Sequence, residues 1–404
     1  MKLLIRTGRI LVGIVFIFSG IVKGIDPLGT AYKLSEYFAS FRLGFLDNLS
    51  LPLSIVLCTV EFITGVLLLT GSMTRLASWM AALFMAVFTP LTIVLYFFNP
   101  VSDCGCFGDA IHLTNGQTLL KNIIITLVVV FVFVIREDTT ATKNRRGSTF
   151  VLAGSLMFFA FFIWYNMTYL PLIDFRPYKP GTDLIKAMSR PEDAPADKYD
   201  IRFIYEKDGI QKEFTLSDYP ANDSTWKFID QKSVLISAGY VPPVHDFSLT
   251  TSDGRDMTSD ILNRQGFTML MISRKISEAK PDLLEKGLSV GKIVSQNNAD
   301  FYVVTSSSPS VAEPLAEGNK VLYADETTLK TVVRSDPGFV LLHGATVMAM
   351  WSPQGLPDDD AFTGNLDSLA IKSHYDRTIT FIILSFILLL LVISSFGGKI
   401  SIDN

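Results

Sequence analysis

The chain has 404 residues, of which 49% are hydrophobic and 18% charged, and its mean hydropathy of +0.36 is too apolar for an ordinary soluble protein of this length. A formal net charge of -4 identifies no partner by itself. Glycine-rich phosphate loops, nucleophile triads and basic nucleic-acid patches are not visible, so no nucleic-acid partner is expected.

The apolar residues are clustered. Residues 9–25, 53–69, 76–98, 119–135, 149–165 and 378–396 form six runs, each close to the roughly 20 helical residues that cross a hydrocarbon core. Period-two alternation is missing, so the runs read as helices rather than strands. They predict a membrane α-helical bundle with six transmembrane helices, whose partner is the lipid bilayer. The first run follows Lys2, Arg6 and Arg9 but has no Ala-x-Ala cleavage site after it, and is read as a retained helix.

In the second run, CTVEFITG places Glu61 at membrane depth, where an ionisable side chain is costly and marks a functional site unless it only meets a neighbouring helix. Ser19, Thr59 and Thr89 are the polar partners expected in that second case. Cys58 shares a helix face with Glu61, about 8 Å below the outer end of the helix. It either comes within reach of the other thiols or fills a packing space.

Residues 101–109 read VSDCGCFGD and hold two of the three cysteines. A thiol pair this close is a redox couple, half of a metal site, or two free thiols in a loop. In an extended chain the Cα atoms of Cys104 and Cys106 would sit about 6.5 to 7 Å apart, at the limit for a disulfide, so the backbone must turn to close one. Gly105 permits that turn. The small ring should be strained and exchangeable, with Asp103 and Asp109 beside it as accessory groups. A metal site would need Cys104, Cys106 and His112 or Asp109 from one short loop, a set that rarely closes a tetrahedron, and none is expected.

Cytoplasmic loops collect Lys and Arg. Placing the N-terminus inside puts Lys2, Arg6, Arg9, Arg75, Arg136, Lys143, Arg145, Arg146 and Lys399 on the cytoplasmic side, against Lys23, Lys33, Arg42 and Lys121 in the opposite short loops. Both termini are then cytoplasmic, in a bacterial inner membrane, while the cysteine pair and residues 166–377 are periplasmic. Disulfide chemistry is permitted on that side.

FSGIVKGIDP (18–27), VEFITGVLLLTG (60–71) and CGCFGD (104–109) resemble the DoxX family and its MauE-like relatives, four-helix membrane proteins linked to periplasmic redox chemistry. The last motif is the most specific and matches the MauE-like pattern. The resemblance covers about a third of the chain and implies quinone-linked or thiol-linked electron transfer, or maturation of disulfide-rich partners. It therefore makes quinone a candidate cofactor. The whole architecture, including IDFRPYKPGTDL (173–184), resembles a Bacteroidetes group in which the bundle is fused to an extracytoplasmic domain.

That outer domain opens with a proline-rich connector. Residues 201–216 predict a hairpin around Asp208-Gly209, a dipeptide that accepts the positive φ of a type I′ turn, and 223–240 are ambiguous. From 241 the pattern turns α/β: an opening hairpin over 241–262, a strand at 267–273, a helix at 280–294 and a strand at 301–305. This half resembles a thioredoxin-like domain, with Pro337 where that fold carries a cis-proline. Ser273-Arg274-Lys275-Ile276-Ser277 stands where Cys-x-x-Cys would be, and no cysteine follows Cys106, so the domain cannot exchange thiols. Its expected role is partner binding through Arg274, Lys275, Asp336 and Pro337.

The expected boundaries are a four-helix bundle at 1–136, a cytoplasmic loop and fifth helix at 137–165, and connector and hairpin at 166–240. A thioredoxin-like domain follows at 241–357, then a linker and last helix at 358–404. One functional reading is an envelope thiol-disulfide or electron-transfer component with Cys104 and Cys106 as the couple and a thiol redox partner or client protein. Another is a non-enzymatic scaffold whose cysteines staple a loop. A solute transporter fits less well, since only Glu61 offers an intramembrane charge and no helix is interrupted.

Overall fold

The computed structural model describes residues 2–101, 103–135, 145–221, 223–237, 239–297 and 299–400. Of the residues used to orient the chain, Arg136 and Lys143 lie outside them. Two compact units emerge, Met1–Gly181 with Ser248–Asn404, and Thr182–Phe247.

The larger unit begins with α1 (Lys2–Ile25), which is separated by one residue from α2 (Pro27–Ser40). The Asp26 side chain caps α2 by accepting the Gly29 N–H, and Pro27 supplies the pre-set first turn. Then come α3 (Ser50–Thr70), α4 (Thr74–Phe98), α5 (Asn115–Val134) and α6 (Arg145–Tyr169). α1 and α3 approach closely because each offers glycine to the other. A Cβ on Gly20 would lie 2.7 Å from the Phe62 nitrogen, and one on Gly65 would lie 2.6 Å from that of Ile17. Small residues that admit a neighbouring backbone are how helices associate where lipid removes the hydrophobic drive. α4 and α5 are joined by polar contacts, Thr89 with Thr126 at 2.7 Å and Asn122 donating to Thr92 at 3.4 Å.

The smaller unit contains α7 (Leu184–Met188), β1 (Lys198–Lys207), β2 (Ile210–Thr215) and β3 (Lys227–Ser237). They form an antiparallel sheet in the order β2-β1-β3. The turn at Asp208 and Gly209 has φ of 55° and 75°, the geometry expected of that dipeptide. β3 occupies the stretch whose sequence was ambiguous. Its residues are exposed throughout, so the alternation that marks a half-buried strand is missing.

After residue 248 the larger unit resumes with α8 (Thr258–Leu262), β4 (Phe267–Ile272), α9 (Pro281–Gln296), β5 (Asp300–Thr305), α10 (Pro309–Leu315), β6 (Lys320–Tyr323) and α11 (Glu326–Val332). β7 (Gly338–His343), β8 (Thr346–Trp351) and α12 (Leu366–Ile400) complete it. The five-stranded sheet has the order β6-β5-β4-β7-β8, with β4, β5 and β6 parallel and β7 and β8 antiparallel. The expected opening hairpin over 241–262 is reduced to one bridge, Thr250 with Asp256, followed by α8. The Asp336–Pro337 bond before β7 is cis. Met269, Met271, Phe301, Val303, Phe339 and Leu341 fill the core beside α9. α1, α3, α4, α5, α6 and α12 are long and apolar enough to cross a membrane, and the protein is a membrane protein that also carries a separate sheet-containing part.

Candidate functional site

The loop from α4 to α5 is shaped by its own residues and tied down by its neighbours. Asp103 accepts the Gly105 N–H at 2.8 Å, and Gly105 turns the chain at φ +66°. A Cβ there would lie 2.9 Å from the Lys33 side chain, so glycine answers both strain and space. Tyr37 of α2 donates to the Cys104 carbonyl at 3.0 Å, and Ser19 of α1 donates to the Cys106 carbonyl at 2.7 Å. Lys33 reaches Asp103 at 3.4 Å, and Asn115 at the start of α5 donates to the Val101 carbonyl. Burial pushes the Tyr37 phenol up, reinforced by Cys104, which keeps it a neutral donor. The loop geometry is thus set by three helices.

The two sulfurs lie 2.9 Å apart. Cys104 is buried beside Tyr37, Leu95 and Val101, and Cys106 is half-buried. One proton between them divides the pair. The hydrogen bond with Cys104 pulls Cys106 down to about 6, against burial and with help from Lys121 and then Lys23. The same hydrogen bond, with burial, pushes Cys104 up. Cys106 is therefore the thiol of the pair that ionises more readily, and Cys104 the one that keeps its proton.

Cys106 faces a small cavity between α1, α3, α4 and α5, whose walls include Phe16, Phe84, Phe88, Lys23, Glu61 and Lys121. A second, larger pocket also borders the loop, lined in part by Lys33, Asp103, Gly105, Asp109, His112 and Arg176. Glu61 is buried and paired with Lys23 at 2.7 Å. This corrects two expectations. Lys23, counted among the outer-loop cations, is buried because α1 continues to Ile25. Ser19, Thr59 and Thr89, the partners expected for Glu61, instead bond to the Cys106 carbonyl, the Ile55 carbonyl and Thr126. The membrane therefore holds a second charge besides Glu61. Cys58 is fully buried in the bundle core.

Arg334, which follows α11, stands 2.7 Å from Asp26 and 3.3 Å from Asp109. It also donates to the Lys330 carbonyl and lies over the Tyr32 ring. Burial would lower its guanidinium, but Asp26 and Asp109 outweigh that and hold it charged. Arg274 donates to the Tyr32 hydroxyl at 2.7 Å and to Asp336 at 3.1 Å, while Lys275 pairs with Glu278. Of the residues singled out for partner binding, Arg274 thus connects to the bundle through Tyr32 of α2 and holds Asp336, and the cis-bonded Pro337 beside it is buried rather than open to a partner. Among the described residues no three His, Cys, Asp or Glu side chains converge as metal ligands.

Sequence reasoning missed Lys23, Tyr37, Lys121 and Arg334 as members of the site. For Lys23 a signal existed: Ser19 and Lys23 are four apart in one helix and share its face. For Arg334, more than 220 residues from Asp109 in sequence, nothing local could have served.

Residues 1–135 match the family described as Methylamine utilisation protein MauE, and residues 199–238 match the domain of unknown function DUF8463. The chain is similar to Protein TlpB of Flavobacterium psychrophilum, with 30% identity over 141 residues, 34% of this chain and 38% of that protein. It thus spans well under half of that relative's length. No solved structure matches the chain. The first third is a MauE-like membrane domain.

Proposed function

We propose that the bundle performs thiol-disulfide exchange at the outer face of a bacterial inner membrane, with Cys106 attacking and Cys104 resolving. The observation that carries this is the geometry of the pair: sulfurs 2.9 Å apart, with Cys104 buried and Cys106 lining a cavity together with Lys23 and Lys121, cations that favour its thiolate. The Cys106 thiolate opens a client disulfide and forms a mixed disulfide, and the released client sulfur takes a proton. Cys104 then loses its proton and attacks Cys106, freeing the second client sulfur, which is protonated in turn. Two electrons pass from the couple to the client, and the reverse sequence oxidises a client dithiol.

In this reading the chain after residue 248 is a thioredoxin-like domain without cysteines, held beside the loop by Arg274 through Tyr32 and Asp336 and presenting the exposed Lys275 to an envelope partner. Its sheet order, β6-β5-β4-β7-β8, supports that assignment. Residues 166–377 are periplasmic, and both termini are cytoplasmic. A quinone, the cofactor implied by the resemblance, does not fit inside the small cavity at Cys106 and would have to approach its wall of Phe16, Phe84, Phe88 and Lys121 from the lipid side, where it would supply a two-electron acceptor.

A second reading, a scaffold in which the cysteines only staple the loop, draws support from Arg274 and Arg334, whose charges are spent on contacts with the bundle. Acid trapping of free thiols in intact cells, together with Cys104→Ser, separates the two. Exchange predicts a mixed population of the couple and a covalent client adduct on Cys106 in the variant. A permanently oxidised pair and full function without either cysteine would establish the scaffold.

A further inference from the structure

Burying an ion pair inside a membrane bundle is costly, and the Lys23–Glu61 pair is placed where its charge can be used. Both side chains are buried and 2.7 Å apart, both line the cavity that Cys106 faces, and Ser19, one turn before Lys23, ties that loop to the same helix. The charged and titratable groups around the Cys106 sulfur are Cys104 on its own loop, Lys23 on α1, Tyr37 on α2, Glu61 on α3 and Lys121 on α5. The α4 wall contributes Phe84, Met85 and Phe88. Lys121 is also drawn toward the Phe107 ring, 4.4 Å away.

Resting on the exchange reading, we infer that Lys23 is a shared counter-ion, divided between Glu61 and the Cys106 sulfur. When Cys106 is a thiolate, Lys23 is shared by two negative groups, Glu61 and the sulfur, and Lys121 supplies the second positive charge. When Cys106 enters a disulfide and loses its charge, Glu61 keeps Lys23 paired, so the buried ammonium has a counter-charge in either redox state. The pair thereby sets how strongly the couple favours its thiolate form.

The test reads Cys106 alkylation by iodoacetamide against pH in the full-length protein, reduced and in detergent, with peptide-resolved mass spectrometry. In the wild type the rate should rise through a midpoint near 6 and fall below it as the thiolate takes up a proton. Lys23→Met should raise that midpoint by about one unit, roughly a tenfold loss of thiolate below it, and Lys23→Arg should restore it. Glu61→Gln should shift the midpoint the other way, because Lys23 then has only the sulfur to serve. A purely structural pair would move both variants upward by loosening the cavity, and that result, or an unchanged midpoint in either, overturns the inference. If Lys23→Met does not fold, Glu61→Gln decides alone: a downward shift supports, and none or an upward one refutes. The measurement needs no client, so opposite shifts in a protein that never forms client adducts would sink the exchange reading and leave the counter-ion standing.

Discussion

Replacing Arg334 with methionine tests whether the part of the chain after residue 248 is fastened to the bundle above the cysteine loop. The side chain of Arg334 is 8% exposed, Asp26 16% and Asp109 42%. Removing one member of a buried ion pair costs about 3–5 kcal/mol, chiefly through the charge left behind. Asp26 retains some solvent and belongs at the lower end of that range, about 3 kcal/mol. The Asp109 arm is close to half exposed and longer, and adds at most about 1 kcal/mol. The expected loss is about 3–4 kcal/mol, concentrated in local opening rather than in the bundle as a whole. Native-state hydrogen exchange of the full chain in detergent, read at the amides of α2 and α11, measures it. Arg334→Lys should fall between wild type and methionine, since an ammonium cannot serve Asp26, Asp109 and the Lys330 carbonyl with a planar fork. A double-mutant cycle with Asp26→Asn should return a coupling of about 2 kcal/mol. Protection within about 0.5 kcal/mol of wild type in Arg334→Met, or a cycle without coupling, would refute the fastening.

Gly65→Leu should abolish a stably folded bundle in size-exclusion and thermal assays, because its first side-chain carbon already meets the Ile17 backbone nitrogen at 2.6 Å. Gly44→Ala, with open space at that position, is the control that should change nothing. A reporter fused after Arg146 should be cytoplasmic and one after Pro220 periplasmic. The reverse would put Cys104 and Cys106 in a reducing compartment and remove the basis for exchange.

Among the elements, those legible in the sequence owe their form to neighbours in the chain. Six apolar runs predict six helices because lipid leaves the backbone no other partner. The Asp208-Gly209 turn needs only residues that tolerate positive φ, and strands at 267 and 301 follow from short apolar runs around a helical stretch. The Cys104-Gly105-Cys106 spacing likewise flagged the loop, since glycine and paired thiols are local facts. Tertiary structure alone decided the rest. Only the packing of α1 against α3 turns Lys23 from a loop cation into the partner of Glu61, and only the cavity between α1, α3, α4 and α5 gives Cys106 an environment different from that of Cys104. Arg334 meets Asp26 and Asp109 across stretches of 308 and 225 residues, and no periodicity or turn preference encodes a contact of that separation. Charge is read from sequence, but its effect on a thiol depends on distance and burial, which the fold supplies.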